Sequence, residues 1–279
     1  MSEVVCSEGS WTDPRSKRMF GYRLWRPTTV HAVIFIIHGF GEHGGRYQSF
    51  ALALAEQGVF VAAPDLWGHG RSGGRRGDLG EIHDCIEHLM RLAYDVFLPS
   101  SGRTDYVVFG HSFGGLVAIQ WALGSPPHLR RAVIQSPLLE EGFPIPRWKK
   151  AAAAVLAHLR PQTPFPMNLD LDALSRDPTV APAYRADPLV QNSMSARTYR
   201  SIVRSRDDAL ARAQQLRVPV LLLCGGSDRI ISVAAAQRWF QRLTCEKRSA
   251  TFSGCYHELH HEEVRDEVLR LVCGWTLTR

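Results

Sequence analysis

No run of the chain approaches the roughly 18 apolar residues that a membrane-crossing helix needs. The opening Met-Ser-Glu-Val-Val-Cys-Ser-Glu carries acids and lacks the apolar stretch of a secretory signal. A soluble, cytoplasmic or only peripherally attached protein is therefore expected. Cysteine is scarce: six residues (Cys6, Cys85, Cys224, Cys245, Cys255, Cys273) lie far apart, and no two form a C-x-x-C pair. A disulfide framework and a paired-cysteine metal or redox site are thus set aside, and reduced, mostly buried thiols are expected. No block of like charge occurs either. The 33 Lys+Arg and 27 Asp+Glu give a formal charge of +6, but the cations are scattered and not interleaved with aromatics, so nucleic acid is not an expected partner. Internal repeats and low-complexity tracts are absent.

What is present is enough apolar material, 45% of 279 residues, to bury one large core. Apolar, β-branched runs alternate with helix-like stretches, which predicts an α/β fold with a mostly parallel central sheet and helices on both faces. Strands are expected over 20–25, 32–37, 59–63, 106–110, 132–135, 218–224 and 250–252. A last helix is expected over 258–275, with Val264, Val268, Leu271 and Trp275 on one face. Between Ser136 and Leu216 the prolines multiply and short Ala/Leu-rich helices are expected instead of strands. This reads as an inserted helical cap, 137–216, on a core made of 1–136 and 217–279. Within it, Arg147-Trp148-Lys149-Lys150 and the apolar 151–159 read either as a stretch for transient contact with a lipid surface or as a cap helix packed inward.

Chemistry concentrates in Gly110-His111-Ser112-Phe113-Gly114, a G-x-S-x-G string between the strand 106–109 and the helical 116–123. A sharp strand-to-helix turn needs small residues on both sides of a serine because the backbones crowd there, and it pushes the hydroxyl out at the helix N-terminus. Ser112 is thus the candidate nucleophile. A neutral serine needs a base held by an acid, and in this type of fold they follow in the order Ser, Asp or Glu, His. Asp228 ends the apolar 218–224 run in a glycine turn, and His257 stands on the loop after the next strand. The expected oxyanion donors are the backbone N–H groups of Phe113 and of Phe40, the latter in the His38-Gly39-Phe40-Gly41 loop.

Two other strings compete for the same residues. Gly39, Gly41 and Gly44 spell G-x-G-x-x-G with Asp65 about twenty residues on, as in a dinucleotide site. Glu42 stands where phosphates need cations, so the loop is read as an oxyanion turn. His257-Glu258-Leu259-His260-His261 spells H-E-x-x-H, but a third ligand is lacking, and His260 and His261 are read as solvated residues. Neither a metal nor a cofactor is expected.

The strings at 38–47, 65–73, 110–115, Asp187-Pro188-Leu189, 226–229 and 256–260 together resemble the monoacylglycerol lipases and closely related lysophospholipases, an α/β-hydrolase family. The similarity spans almost the whole chain and is weakest in the first fifteen residues and over 138–182. It implies a serine ester hydrolase that releases fatty acid from a monoacylglycerol beneath a mobile cap, with lysophospholipids, short esters and peptide-like substrates as alternatives within the fold. A lipid-binding relative without turnover is the alternative from another class. By the same resemblance Glu42, Arg46, His111 and Tyr184 match positions around the glycerol head, although Glu42 and Arg46 read equally well as an ion pair holding the oxyanion turn. Asp65 to Ser72 reads as scaffold behind the site, and Cys255 as a buried thiol.

Overall fold

The computed structural model describes residues 3–143, 148 and 155–278. Its eight-stranded sheet has the order β1-β2-β4-β3-β5-β6-β9-β10. The strands are β1 (Val4–Thr12), β2 (Met19–Pro27), β3 (Ala32–Ile37), β4 (Val59–Pro64), β5 (Tyr106–His111), β6 (Leu129–Gln135), β9 (Val220–Gly225) and β10 (Lys247–Phe252). From β4 through β10 every neighbouring pair is parallel, and the pairs β1–β2 and β2–β4 are antiparallel, so β2 alone runs against the other strands. The central strands β3, β4, β5 and β9 are buried on both faces, which is why they read as continuous apolar runs.

Side-chain alternation along these strands divides the core in two. Val33, Phe35 and Ile37 face a cluster shared with the helices Ile82–Leu92, Phe113–Leu123 and Val233–Arg242. Ile34 and Ile36 face the helices Gln48–Glu56 and Arg265–Leu277. The last helix starts at Arg265, later than expected, because 258–264 turn through a short 3-10 segment, Leu259–His261. Its buried face carries Val268, Val272, Cys273 and Trp275.

Two features depart from the sequence reading. β1 pairs with β2 along all nine residues, although its own side chains are mostly exposed. The region between β6 and β9 also holds a small antiparallel pair, β7 (Pro164–Pro166) and β8 (Ser193–Ser195), where only helices were expected. After it the helix Ala196–Ala211 sets Ile202 and Ala209 into the main core, and Arg197 clasps Asp78 with both guanidinium contacts at 2.6 and 2.5 Å. Of the basic stretch before residue 151, only Trp148 lies among the described residues. It is exposed, as are Phe143, Val155 and Leu159. No described helix is long and apolar enough to cross a membrane.

Candidate active site

Ser112 follows β5 with φ 55° and ψ −116°, a left-handed-side conformation that a non-glycine residue adopts only when its surroundings impose it. Those surroundings explain the glycines. A Cβ on Gly110 would collide with the Gly114 carbonyl oxygen, and one on Gly114 with the carbonyl oxygen of Ile37 at the end of β3. The Ser112 amide donates to the Gln135 carbonyl at 3.0 Å, and its own carbonyl accepts from Gly115, Leu116 and Leu138. The turn is thus fixed by three strands and a helix at once, with the half-buried Ser112 at the helix N-terminus.

Asp228 and His257 come to the same carboxyl edge from the turns after β9 and β10. His257 Nδ1 lies 2.7 Å from Asp228 Oδ2, and both side chains are almost fully buried. The other carboxylate oxygen, Oδ1, accepts from the Ile230 and Ile231 amides at 2.8 and 3.1 Å, so the acid is fixed before it meets the ring. Burial alone would lower the pKa of His257, but the Asp228 charge and hydrogen bond, with Glu258 and Glu42 beyond, outweigh it and raise it above the ordinary 6.5. Among the described residues the Ser112 hydroxyl forms no hydrogen bond, so of the triad expected from the sequence only the His257–Asp228 contact is formed. Such contacts often tighten only when substrate is bound.

The two residues expected to give the oxyanion donors are in contact through their side chains. The Phe40 and Phe113 rings meet edge to face at 5.4 Å, and Phe113 is the first residue of its helix, where an N–H has no intrahelical partner. The loop before Phe40 is closed on itself: the Gly39 amide donates to Glu42 Oε1 at 2.5 Å, and Tyr47 donates to the same oxygen at 2.8 Å. Arg46 bonds Glu42 Oε2 at 2.5 Å and grips Glu258 with two hydrogen bonds of 2.6 and 2.8 Å. Burial would raise the pKa of Glu258, but Arg46 reverses that and holds it at about 2. Both oxygens of Glu42 are therefore occupied, and Asp65 is as fully engaged. It accepts from the Gly44 and Arg71 amides at 2.8 Å each and lies against Arg23, with no exposure. A loop whose first glycine amide and distant acid are both spoken for offers nothing to a dinucleotide.

The segment over this loop touches it in three places. The Gln191 amide donates to the Gly41 carbonyl at 2.8 Å, Asp187 Oδ2 lies 2.8 Å from His43 Nε2, and the Arg46 guanidinium stacks on the Tyr184 ring at 4.6 Å. Tyr184 and Arg46 are thus brought together with Glu42, and His111 lies next to His257 with ring centres 4.6 Å apart. A surface cavity of about 390 Å³ lined by Arg75, Arg160 and Pro161 to Pro164 shares no residue with this cluster.

One expectation is overturned. His260 is not solvated: it is 2% exposed, stacked on Tyr47 with ring centres 4.6 Å apart, because the short 3-10 turn folds it under the site instead of along a surface helix. His261 keeps a partly exposed side chain. Glu258, His260 and His261 bring donor atoms within 4.8 Å of one another, but the carboxylate is held by Arg46. The residues that the sequence reading missed are Glu258, Gln135 and Ser136. Ser136 donates to the His257 carbonyl at 3.1 Å. The available signal was a polar pair ending the apolar Ala132 to Ile134 run, since a buried carboxamide needs partners. Cys255 is buried as expected, and burial raises its pKa.

The chain is similar to known proteins along most of its length. Residues 28–264 match the family described as serine aminopeptidase, S33. The monoacylglycerol lipase of Mycolicibacterium smegmatis is 32% identical over 260 residues, 92% of each chain. Human monoglyceride lipase is 32% identical over 263 residues, 92% of this chain and 86% of its own. The crystal structure of the Paleococcus ferrophilus monoacylglycerol lipase superposes with a TM-score of 0.84 at 28% identity, covering 99% of this chain and 98% of that one.

Proposed function

Because the chain belongs to the monoacylglycerol lipase and lysophospholipase family of α/β-hydrolases and is a monoacylglycerol lipase-like hydrolase, we propose that it releases fatty acid from monoacylglycerol by a serine mechanism. Ser112 Oγ attacks the ester carbonyl carbon while His257 Nε2 takes its proton. The carbonyl oxygen becomes an oxyanion between the Phe40 and Phe113 amides. Collapse of this intermediate breaks the bond to the glycerol oxygen, which leaves with the proton held by His257, and the acyl group stays on Ser112. A water then repeats the sequence, giving its proton to His257 and releasing the acid. Asp228 holds the ring's tautomer and stabilises the imidazolium in both halves.

The single observation that carries this reading is the buried 2.7 Å pair of His257 and Asp228 at the same sheet edge as the constrained Ser112 turn. Glu42 and Arg46, each occupied by internal partners, serve first to fix the oxyanion loop. The glycerol head then meets that loop near His111 and Tyr184. Residues 137–216 act as a cap over the rim, and exposed Phe143, Trp148, Val155 and Leu159 are the part of it that meets a lipid surface. Neither a metal nor a cofactor takes part.

The test is a set of side-by-side rates on monoolein, lysophosphatidylcholine, a short nitrophenyl ester and an aminoacyl anilide. Monoolein is expected to give the highest kcat/KM and the anilide no detectable rate. Fastest turnover on the anilide would move the protein to peptidase chemistry. Tight lipid binding without ester turnover would remove the catalytic reading altogether.

A further inference from the structure

A glutamine at the buried end of an apolar strand is costly unless its carboxamide is bonded. Gln135 ends β6 with no exposure. Its Nε2 lies 3.0 Å from His111 Nδ1 and 2.9 Å from His260 Nδ1, and its Oε1 has no partner among the described residues, so the carboxamide acts only through its donors. An amide that donates to both Nδ1 atoms leaves each ring with its proton on Nε2 and no room for a second on Nδ1. Burial first, and then the neighbouring histidines, also keep both rings neutral, with the pKa of His111 lowered to about 3 and that of His260 well below the ordinary 6.5.

Position gives this arrangement its consequence. The His111 ring lies against His257 at 4.6 Å and against His260 at 5.2 Å. Through its backbone Gln135 also accepts the Ser112 amide, while the next residue, Ser136, bonds the His257 carbonyl. One dipeptide therefore touches the serine turn, the histidine loop and the floor beneath them. The charged groups facing this floor are Asp228 on His257, Glu42 and Glu258 beside His111, and Arg46 between those two carboxylates. His261 and Tyr47 lie against His260.

We propose that Gln135 is a positioning residue which, by donating to both His111 and His260, holds two neutral rings in one tautomer against His257, so that the base of the reaction titrates alone. This rests on the serine-hydrolase reading above. Gln135→Glu keeps the shape and turns the donor into a pure acceptor. Both Nδ1 atoms must then carry the proton, and a carboxylate charge enters the floor.

The expected result is a fall in kcat of about 10- to 100-fold, taken by analogy with the loss of a partner that orients a metal-ligating histidine, with KM little changed. The acid limb of kcat/KM should move to higher pH, because the added carboxylate favours protonated His257. Gln135→Met, similar in length and without charge, should lower kcat without moving the limb upward. It carries the test alone if the glutamate variant does not fold. Folded variants with wild-type kcat and a wild-type acid limb would show that the carboxamide is packing only, and would overturn the proposal. Fluorophosphonate inactivation of the wild type keeps the two readings distinguishable: without it the serine mechanism itself fails, whereas with it only the role of Gln135 is at stake.

Discussion

Ser112→Ala lowers kcat on monoolein or a nitrophenyl ester by about 10⁶-fold, the loss seen when a serine hydrolase is deprived of its nucleophile. Binding of substrate should survive, since the methyl group fits the same turn. A residual rate of about 10³- to 10⁴-fold over water is expected to remain, because the two backbone amides would still stabilise an oxyanion formed by direct attack of water. The backbone argument makes this substitution cleaner than most. The φ of 55° is imposed by the Gly110, Gly114 and Gln135 contacts and not by the serine side chain, so the alanine variant should melt within about 1 kcal/mol of the wild type. Steady-state rates together with a thermal melt check both halves of the expectation.

Asp228→Asn should cost about 10⁴-fold in kcat, since an amide can present a donor to the ring and so favours the wrong tautomer. The pH dependence provides an independent sign. In the wild type the pKa of His257 is raised above 6.5, chiefly because the Asp228 charge and hydrogen bond outweigh burial. Neutral His257 is the base, so activity is present above that raised value and is lost as pH falls through it. Removing the Asp228 charge leaves burial as the largest influence, and the acid limb should move to lower pH even as the maximum collapses. Stability runs the other way. The ion pair of protonated His257 with Asp228 contributes fully below the ordinary 6.5 and is lost as pH rises through the folded value. Both trends are read from kcat/KM and melting temperature across pH 5 to 9. An acid limb unmoved by the substitution would remove Asp228 from the role given to it.

How far these residues could be read from the chain depends on whether their reason is local. The serine turn is legible because backbone crowding demands glycine at fixed spacing, and each glycine then meets a carbonyl oxygen in the fold. The strands β3, β4, β5 and β9 are legible because burial on both faces forces an unbroken apolar run. β1 is not, because an edge strand that leaves most of its side chains in solvent carries little pattern, and its partner supplies the pairing. The β7–β8 pair was hidden by Pro164 and Pro166, which read as breakers although a two-stranded edge tolerates them. His260 was misread because its burial depends on Tyr47 and Gln135, more than 200 and about 125 residues away, and nothing in the local string reports either contact. The link of Arg46 to Glu258 is equally remote, with 212 residues between them. Long-range polar pairing is therefore what the sequence conceals, and it is concentrated under the site.

The most direct measurement is a crystal structure of the protein after reaction with an alkyl fluorophosphonate. The account predicts a covalent bond from phosphorus to Ser112 Oγ, a phosphonyl oxygen within about 3.1 Å of the Phe40 and Phe113 amide nitrogens, and His257 Nε2 within hydrogen-bond reach of the modified serine. Phosphorus on any other side chain, or on Ser112 with its oxygen turned away from both amides, would contradict it.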